Sequence, residues 1–183
     1  PFNDSDSDII LRSLTGVNFM VYKGPLRMAS PFFRDMFSLP QSKQCSIDDS
    51  TADFYKGIPC VQMSEDTQTL HRFLSFIFPG EPSMPTSFRE FAQLLAVFQK
   101  YDVRAEMGLL RRLLAGDDMC AITPTNALQV YAVAHEHRLT EEALAAAQLM
   151  MEIPLTFQTI CDSSTDVMSG AALYHLHQYR LAC

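Results

Sequence analysis

Residues 8 to 37 contain a change of hydrophobic period that leaves few folds open. In VNFMVYK, residues 17 to 23, Val17, Phe19 and Val21 alternate with Asn18, Met20 and Tyr22, so one face of an extended segment is apolar. DIILRS, residues 8 to 13, precedes it across a turn at Thr15-Gly16, and the two read as paired β-strands. Then the period changes. Ser30 offers a helix N-cap and Pro31 suits the first helical position, where no amide donor is needed. Phe33, Met36 and Phe37 follow at i, i+3 and i+4 as one core-facing stripe, and Phe32 lies off it. Strands leading directly into an amphipathic helix specify a sheet with helices packed against it.

Farther along, residues 39 to 57 are polar, aperiodic and broken by Pro40 and Gly57, which predicts the longest loop. IPCVQM reads as a third strand. Ser64 or Asp66 caps a helix carrying Leu70, Phe73, Leu74, Ile77 and Phe78 on one side. Ser87-x-x-Glu90 is a capping box for the next helix, with Phe88, Phe91, Leu95 and Phe98 inward. After Asp102 a further helix presents Leu109, Leu110, Leu113 and Leu114. Residues 116 to 122 form a linker, and beyond them everything reads helical. Thr123-Pro124 opens a helix through Leu139, and Thr140-Glu141-Glu142 opens another with its carboxylates at the positive end of the dipole. A break at Ile153-Pro154 leads to a segment from Phe157 to Cys161, and a last helix at about 169–182 carries Leu173, Leu176 and Leu181 on one side.

Composition narrows the function classes. At 183 residues the chain can bury a core, and it has no run of 18 apolar residues that would span a membrane. Its formal charge of −7 argues against nucleic-acid binding, which needs a basic face to displace counterions. The Arg111-Arg112 pair reads as a solvated helix face. Five cysteines, an odd number without a C-x-x-C motif, and an acidic N-terminal stretch unlike a signal peptide suggest reduced thiols in the cytoplasm or nucleus. On that reading the Asn3-Asp4-Ser5 sequon is a chance match.

Catalytic spacing is absent. There is no G-x-S-x-G elbow and no glycine-rich phosphate loop. His135-x-His137 and His175-x-His177 each diverge by about 200° around a helix, so neither pair chelates a metal by itself, and a structural role is expected of them. Cys60 lies in an apolar strand and reads as a small buried hydrophobe. The pairs Asp48-Asp49, Glu65-Asp66, Asp117-Asp118 and Glu141-Glu142 sit in loops or at helix starts, where solvation and dipole complementation account for them. No catalytic residue, cofactor site or metal site is assigned. A cysteine-dependent enzyme using Cys60 or Cys161 is the least favoured reading.

The order strand, strand, short helix, loop, strand and three helices resembles the BTB/POZ fold. The residues carrying the resemblance are Asp8-Ile9-Ile10-Leu11, Val21-Tyr22-Lys23, Leu26, Ala29-Ser30, Phe33 and Met36-Phe37, then Phe76-Ile77-Phe78-x-Gly80 and Lys100-Tyr101-Asp102. They span roughly residues 8 to 115. Residues 123 to 183 resemble the BACK-like helical extension that often follows such a domain, and the combination is similar to fungal BTB proteins. The resemblance implies an α+β fold, with a small three-stranded sheet flanked by helices and an all-helical extension. It also implies protein–protein interaction as an adaptor or scaffold, frequent homodimers and, in some members, recruitment of a cullin-type ubiquitin ligase or a part in transcriptional regulation. The charge and the lack of a long apolar run argue against nucleic acid and membrane as partners of this segment.

Three departures bear on those expectations. Tyr22 stands where the family usually has histidine. Dimer-forming members carry a helix before the first strand, and only seven residues precede Asp8 here, which counts against the usual swapped dimer. Cullin adaptors carry an apolar-x-Glu motif, whereas the matching positions here are Leu70, His71 and Arg72, with the charge reversed. By the same resemblance Met28, Phe32, Leu70, His71 and Arg72 are the candidate partner-binding residues. The helical pattern places Leu70 in the core and only His71 and Arg72 at the surface.

Overall fold

The computed structural model describes residues 2–39, 54–55, 57–115, 122–152 and 169–182. Most of the 39–57 loop, the 116–122 linker apart from Ile122, the break at Ile153-Pro154 and the segment from Phe157 to Cys161 lie outside the described residues. So do the side chains of Leu113 and Leu114 and every cysteine except Cys60. The chain divides into two compact units, Pro1–Pro85 with Gln93–Gly108, and Thr86–Ala92 with Leu109–Cys183.

In the first unit, β1 (Ile9–Arg12) and β2 (Asn18–Val21) form the expected antiparallel hairpin, with Ile9 opposite Val21 and Leu11 opposite Phe19. Gly16 takes φ 86°, the left-handed backbone that glycine adopts without a Cβ clash, and its N–H donates to Ser13 O at 2.9 Å. Val17 was expected on the apolar face, yet it is 45% exposed. It closes the turn, accepting from Ser13 N through its carbonyl and donating to Ser13 Oγ, so it stands before the pleated strand begins.

A helix not foreseen from sequence follows, α1 (Lys23–Ala29). Its first turn holds Gly24 and Pro25, residues of low helix propensity, at positions where proline's missing N–H costs nothing. Ser30 then serves two helices. Its N–H donates to Leu26 O at 3.0 Å at the end of α1, and its Oγ accepts from Phe33 N at 3.2 Å at the start of α2 (Pro31–Ser38). Phe33 is fully buried, while Met36 and Phe37 are half-buried, so the predicted stripe is core at its start and rim at its end.

The sheet has four strands among the described residues, not three, in the order β2-β1-β4-β3. β3 (Phe54–Tyr55) comes from the stretch read as loop; two residues are too few for an alternation signal. It pairs antiparallel with β4 (Ile58–Gln62), and β4 runs parallel to β1 with Ile10 opposite Cys60. Cys60 is buried, as a strand residue of its apolar character should be.

Asp66, not Ser64, caps α3 (Thr67–Ile77), accepting from Gln68 N at 2.8 Å and Thr69 N at 3.0 Å. Leu70, Phe73 and Leu74 of that helix are fully buried, and Ile77 and Phe78 are half-buried. α4 (Phe88–Lys100) ends in a Schellman motif: Val103 N donates to Phe98 O at 2.9 Å and Asp102 N to Gln99 O at 3.1 Å, with Asp102 left-handed at φ 49°.

At the start of α4, Glu90 N donates to Ser87 Oγ at 3.3 Å, but the Glu90 carboxylate reaches Thr86 N at 2.7 Å instead of Ser87 N. The capping box is present with one arm shifted by a residue. α5 (Arg104–Ala115) buries Leu110 and leaves Leu109 exposed.

The remaining helices of the second unit are α6 (Ala127–Glu136), α7 (Thr140–Leu149), a 3-10 turn (Met150–Glu152) and α8 (Gly170–Ala182). α6 begins three residues later than Thr123-Pro124 suggested. Asn126 Oδ1 accepts from Thr123 N at 2.8 Å, which closes a turn over those residues. α6 also stops before Leu139: Leu139 N donates to Ala134 O at 2.8 Å, with Arg138 left-handed at φ 57°. Arg111, read as part of a solvated face, reaches Glu142 through Nε at 2.6 Å and Glu141 through Nη2 at 3.0 Å. Glu142 is buried, so that carboxylate does more than complement the α7 dipole. In α8 Leu176 is fully buried and Leu173 half-buried, but Leu181 is 69% exposed, off the side the sequence assigned it to.

Candidate interaction surface

The five candidate residues fall in two places. Met28, near the end of α1, is 86% exposed, and Phe32, in the first turn of α2, is 44% exposed. The shared cap at Ser30 puts them there, because it ends one helix and starts the next within a single residue. Phe32 is not a loose side chain. Its ring lies 5.2 Å from Tyr101 and edge-on to Phe33 at 5.4 Å, which leaves its outer face to solvent.

The second group is on α3. Leu70 is fully buried, where the helical pattern put it, and only its neighbours approach the surface. His71 and Arg72 are half-buried, less open than expected. The cause for His71 is Phe2, which sequence reading had treated as part of an acidic, polar stretch. Phe2 packs edge-on against His71 at 5.7 Å and Phe78 at 5.6 Å, and its carbonyl accepts from Met20 N at 2.9 Å. Asn3 forms a parallel bridge with Met20, and Tyr22 donates a hydrogen bond to Asp4. That bond raises the Tyr22 phenol to about 12 and explains why tyrosine suits the position. The aromatic neighbours of Phe32 and of His71 do not overlap.

What holds the Phe32 platform is a network that sequence did not reveal. Glu65, expected to be solvated, is buried and accepts from Lys100 Nζ at 2.6 Å and Tyr101 Oη at 2.8 Å. The Tyr101 carbonyl in turn accepts from the Ser30 hydroxyl. Tyr101 therefore fixes both the ring under Phe32 and the cap between α1 and α2. Burial opposes ionisation of Glu65, but the bonds from Lys100, Tyr101 and Ser64 more than offset it and hold the carboxyl below its ordinary value. Burial, together with Glu65, pushes the Tyr101 phenol up to about 12.

The sign of the resulting pH dependence follows. A carboxyl whose folded-state value lies below its unfolded one stabilises the fold above the ordinary value of 4.5 and loses that contribution as pH falls through the lower, folded value. Equilibrium unfolding followed from neutral pH into acid should show wild-type stability falling more steeply below that point than the stability of Glu65→Gln.

Among the described residues no group of three or more His, Cys, Asp or Glu side chains is placed to cage a metal ion, and no helix is long and apolar enough to cross a membrane. A search of curated proteins returns no match. The BTB/POZ domain model matches residues 2–115, from the segment that carries Phe2 to the end of α5. With its four-stranded sheet, the doubly capping Ser30 and the helices that follow β4, the chain belongs to the BTB/POZ family.

Proposed function

We propose that this protein is a non-catalytic adaptor or scaffold that binds a partner protein through the Met28 and Phe32 surface. The BTB/POZ domain is a protein–protein interaction module. The observation that supports this surface is the exposure of two large apolar side chains on a junction held from beneath by Tyr101 and Ser30. A methionine adapts its shape to a partner, and an aromatic ring on a fixed base supplies contact area at little entropic cost. His71 and Arg72 are the polar complement on α3, while Leu70 supports that helix from within. Residues 123–183 are read as a BACK-like extension that follows the interaction domain, as in fungal BTB proteins, and the protein acts in the cytoplasm or nucleus.

Affinity purification with mass spectrometry tests the reading. The wild-type chain should recover a specific partner, and Met28→Asp should lose it while changing stability by no more than about 0.5 kcal/mol, as expected of an exposed position. Recovery of the same partner by both chains would place the interface elsewhere. A strict monomer by light scattering together with no specific partner would count against an interaction role altogether.

A narrower reading makes the partner a cullin. The support is family membership, and the positive charge of Arg72 at the motif position weighs against it. Titration with a cullin N-terminal domain decides: no binding at tens of micromolar, a standard free energy of about −6 kcal/mol, ends that reading.

A further inference from the structure

Neither histidine pair chelates a metal along its own helix, but the fold brings one member of each pair together. His135 Nε2 on α6 and His175 Nδ1 on α8 stand 2.8 Å apart, from positions 40 residues apart in sequence. The rings are 5.1 Å between centroids and inclined by 45°. Tyr131 lies 5.9 Å from the His135 ring and Tyr174 5.8 Å from the His175 ring, so the pair is flanked by aromatic faces. We propose that His135 and His175 form a two-imidazole clamp for a borderline divalent transition-metal ion, such as nickel or zinc, that ties α8 to α6.

The chemistry rests on three features. First, a contact at this distance is an N–H···N hydrogen bond, so one nitrogen donates and the other must be an unprotonated acceptor. The acceptor nitrogen therefore already presents, toward the neighbouring ring, the lone pair that a metal ion would take. Second, metal–nitrogen bonds of about 2.0–2.1 Å at cis or tetrahedral angles set the two nitrogens about 2.9–3.4 Å apart. The clamp is therefore within a few tenths of an ångström of its bite distance. Third, His175 is exposed, so its ring can turn to aim its lone pair beside the His135 nitrogen instead of at it. On binding, the donor ring changes tautomer, its proton passing from the facing nitrogen to the far nitrogen of the same ring, so that both facing nitrogens offer a lone pair, and water fills the remaining coordination positions. An ion held this way binds the folded chain and not the unfolded one, and so stabilises the packing of α6 on α8.

Nickel is the suitable probe, because imidazole suits it while thiolates select softer or thiophilic ions. Calorimetric titration of the whole chain with nickel chloride should show one ion per chain. His175→Ala, at an exposed position, should weaken binding by at least about tenfold, since losing even an outer partner of a metal ligand costs that much. His177→Ala should bind as the wild type does. Nickel should raise the melting temperature of the wild type and of His177→Ala, and leave that of His175→Ala unchanged. Equal binding by wild type and His175→Ala would overturn the proposal, as would binding that survives in the His135→Gln, His175→Ala double variant or a wild-type chain that takes up no nickel.

Discussion

Phe33→Ala should lower the unfolding free energy by about 3–5 kcal/mol. Phe33 is fully buried and its ring is enclosed by Tyr101 at 5.2 Å, Phe32 at 5.4 Å, Phe37 at 5.9 Å and Phe73 at 6.2 Å. The cost of such a truncation depends on how far the surroundings can collapse, and here they are held. Tyr101 is fixed by Glu65 at its hydroxyl and by Ser30 at its carbonyl, while Phe73 is fully buried within α3. The cavity should therefore stay open and the loss fall in the upper part of that range. For a chain of this length a loss of about 4–5 kcal/mol corresponds to roughly 8–20 °C in melting temperature. Urea unfolding of Phe33→Ala beside Phe37→Ala gives the check: half-buried Phe37 should cost clearly less, and equal costs would mean the stripe is core along its whole length.

Glu65→Ala should cost about 3 kcal/mol, with most of the loss on the tyrosine side of the network. Lys100 is 46% exposed on its side chain, so once its partner is gone its ammonium turns to water and no charge is stranded. The Tyr101 hydroxyl lies in a buried environment and keeps no such escape, and a buried donor without an acceptor carries its full desolvation penalty. Lys100→Ala should accordingly cost no more than about 1 kcal/mol, the usual worth of a pair with one exposed partner. A double-mutant cycle between Glu65→Ala and Tyr101→Phe measures the coupling directly. Coupling larger for Lys100 than for Tyr101 would reverse this assignment and make the network an ion pair first. Because Tyr101 supports Phe32, Glu65→Ala should also weaken partner capture through Met28 and Phe32.

Local features were legible from residues alone wherever the physics is local. The Ser30 cap, Pro31 after it, the turn at Gly16, a cap for α3 at Ser64 or Asp66 and the apolar run of Leu70, Phe73 and Leu74 all depend on groups within a few residues of one another, and the structure chose Asp66. Failures came from two directions. Gly24 and Pro25 hid α1, since their meaning depends on whether they fall in a first turn or a helix interior, and composition does not say which. Phe54-Tyr55 became a strand only because β4 offers it an edge. The exposed Val17 and Leu181 show the opposite error: Val17 stands one residue before β2 begins, and Leu181, although inside α8, lies about 140° around the helix from buried Leu176.

For the candidate surface the division is sharper. That Phe32 lies off the stripe of Phe33 follows from helical geometry, and its exposure agrees with it; Met28 stands on α1, a helix the residues did not announce. That Phe32 rests on Tyr101, that His71 is covered by Phe2 and that Glu65 answers Tyr101 and Lys100 could not be read along the chain. Each joins residues separated by tens of positions.

The sequence by itself determined the family, the alternation that makes the hairpin, the caps that start the helices and the apolar faces they bury. These are properties of backbone hydrogen bonding and side-chain period, which act over three or four residues. Only the tertiary structure decided which charges are buried, which aromatic rings meet and which histidines face each other. A carboxylate such as Glu65 or Glu142 is solvated or buried according to whether a distant partner arrives to offset its desolvation, and its nearest neighbours in the chain look alike in both cases.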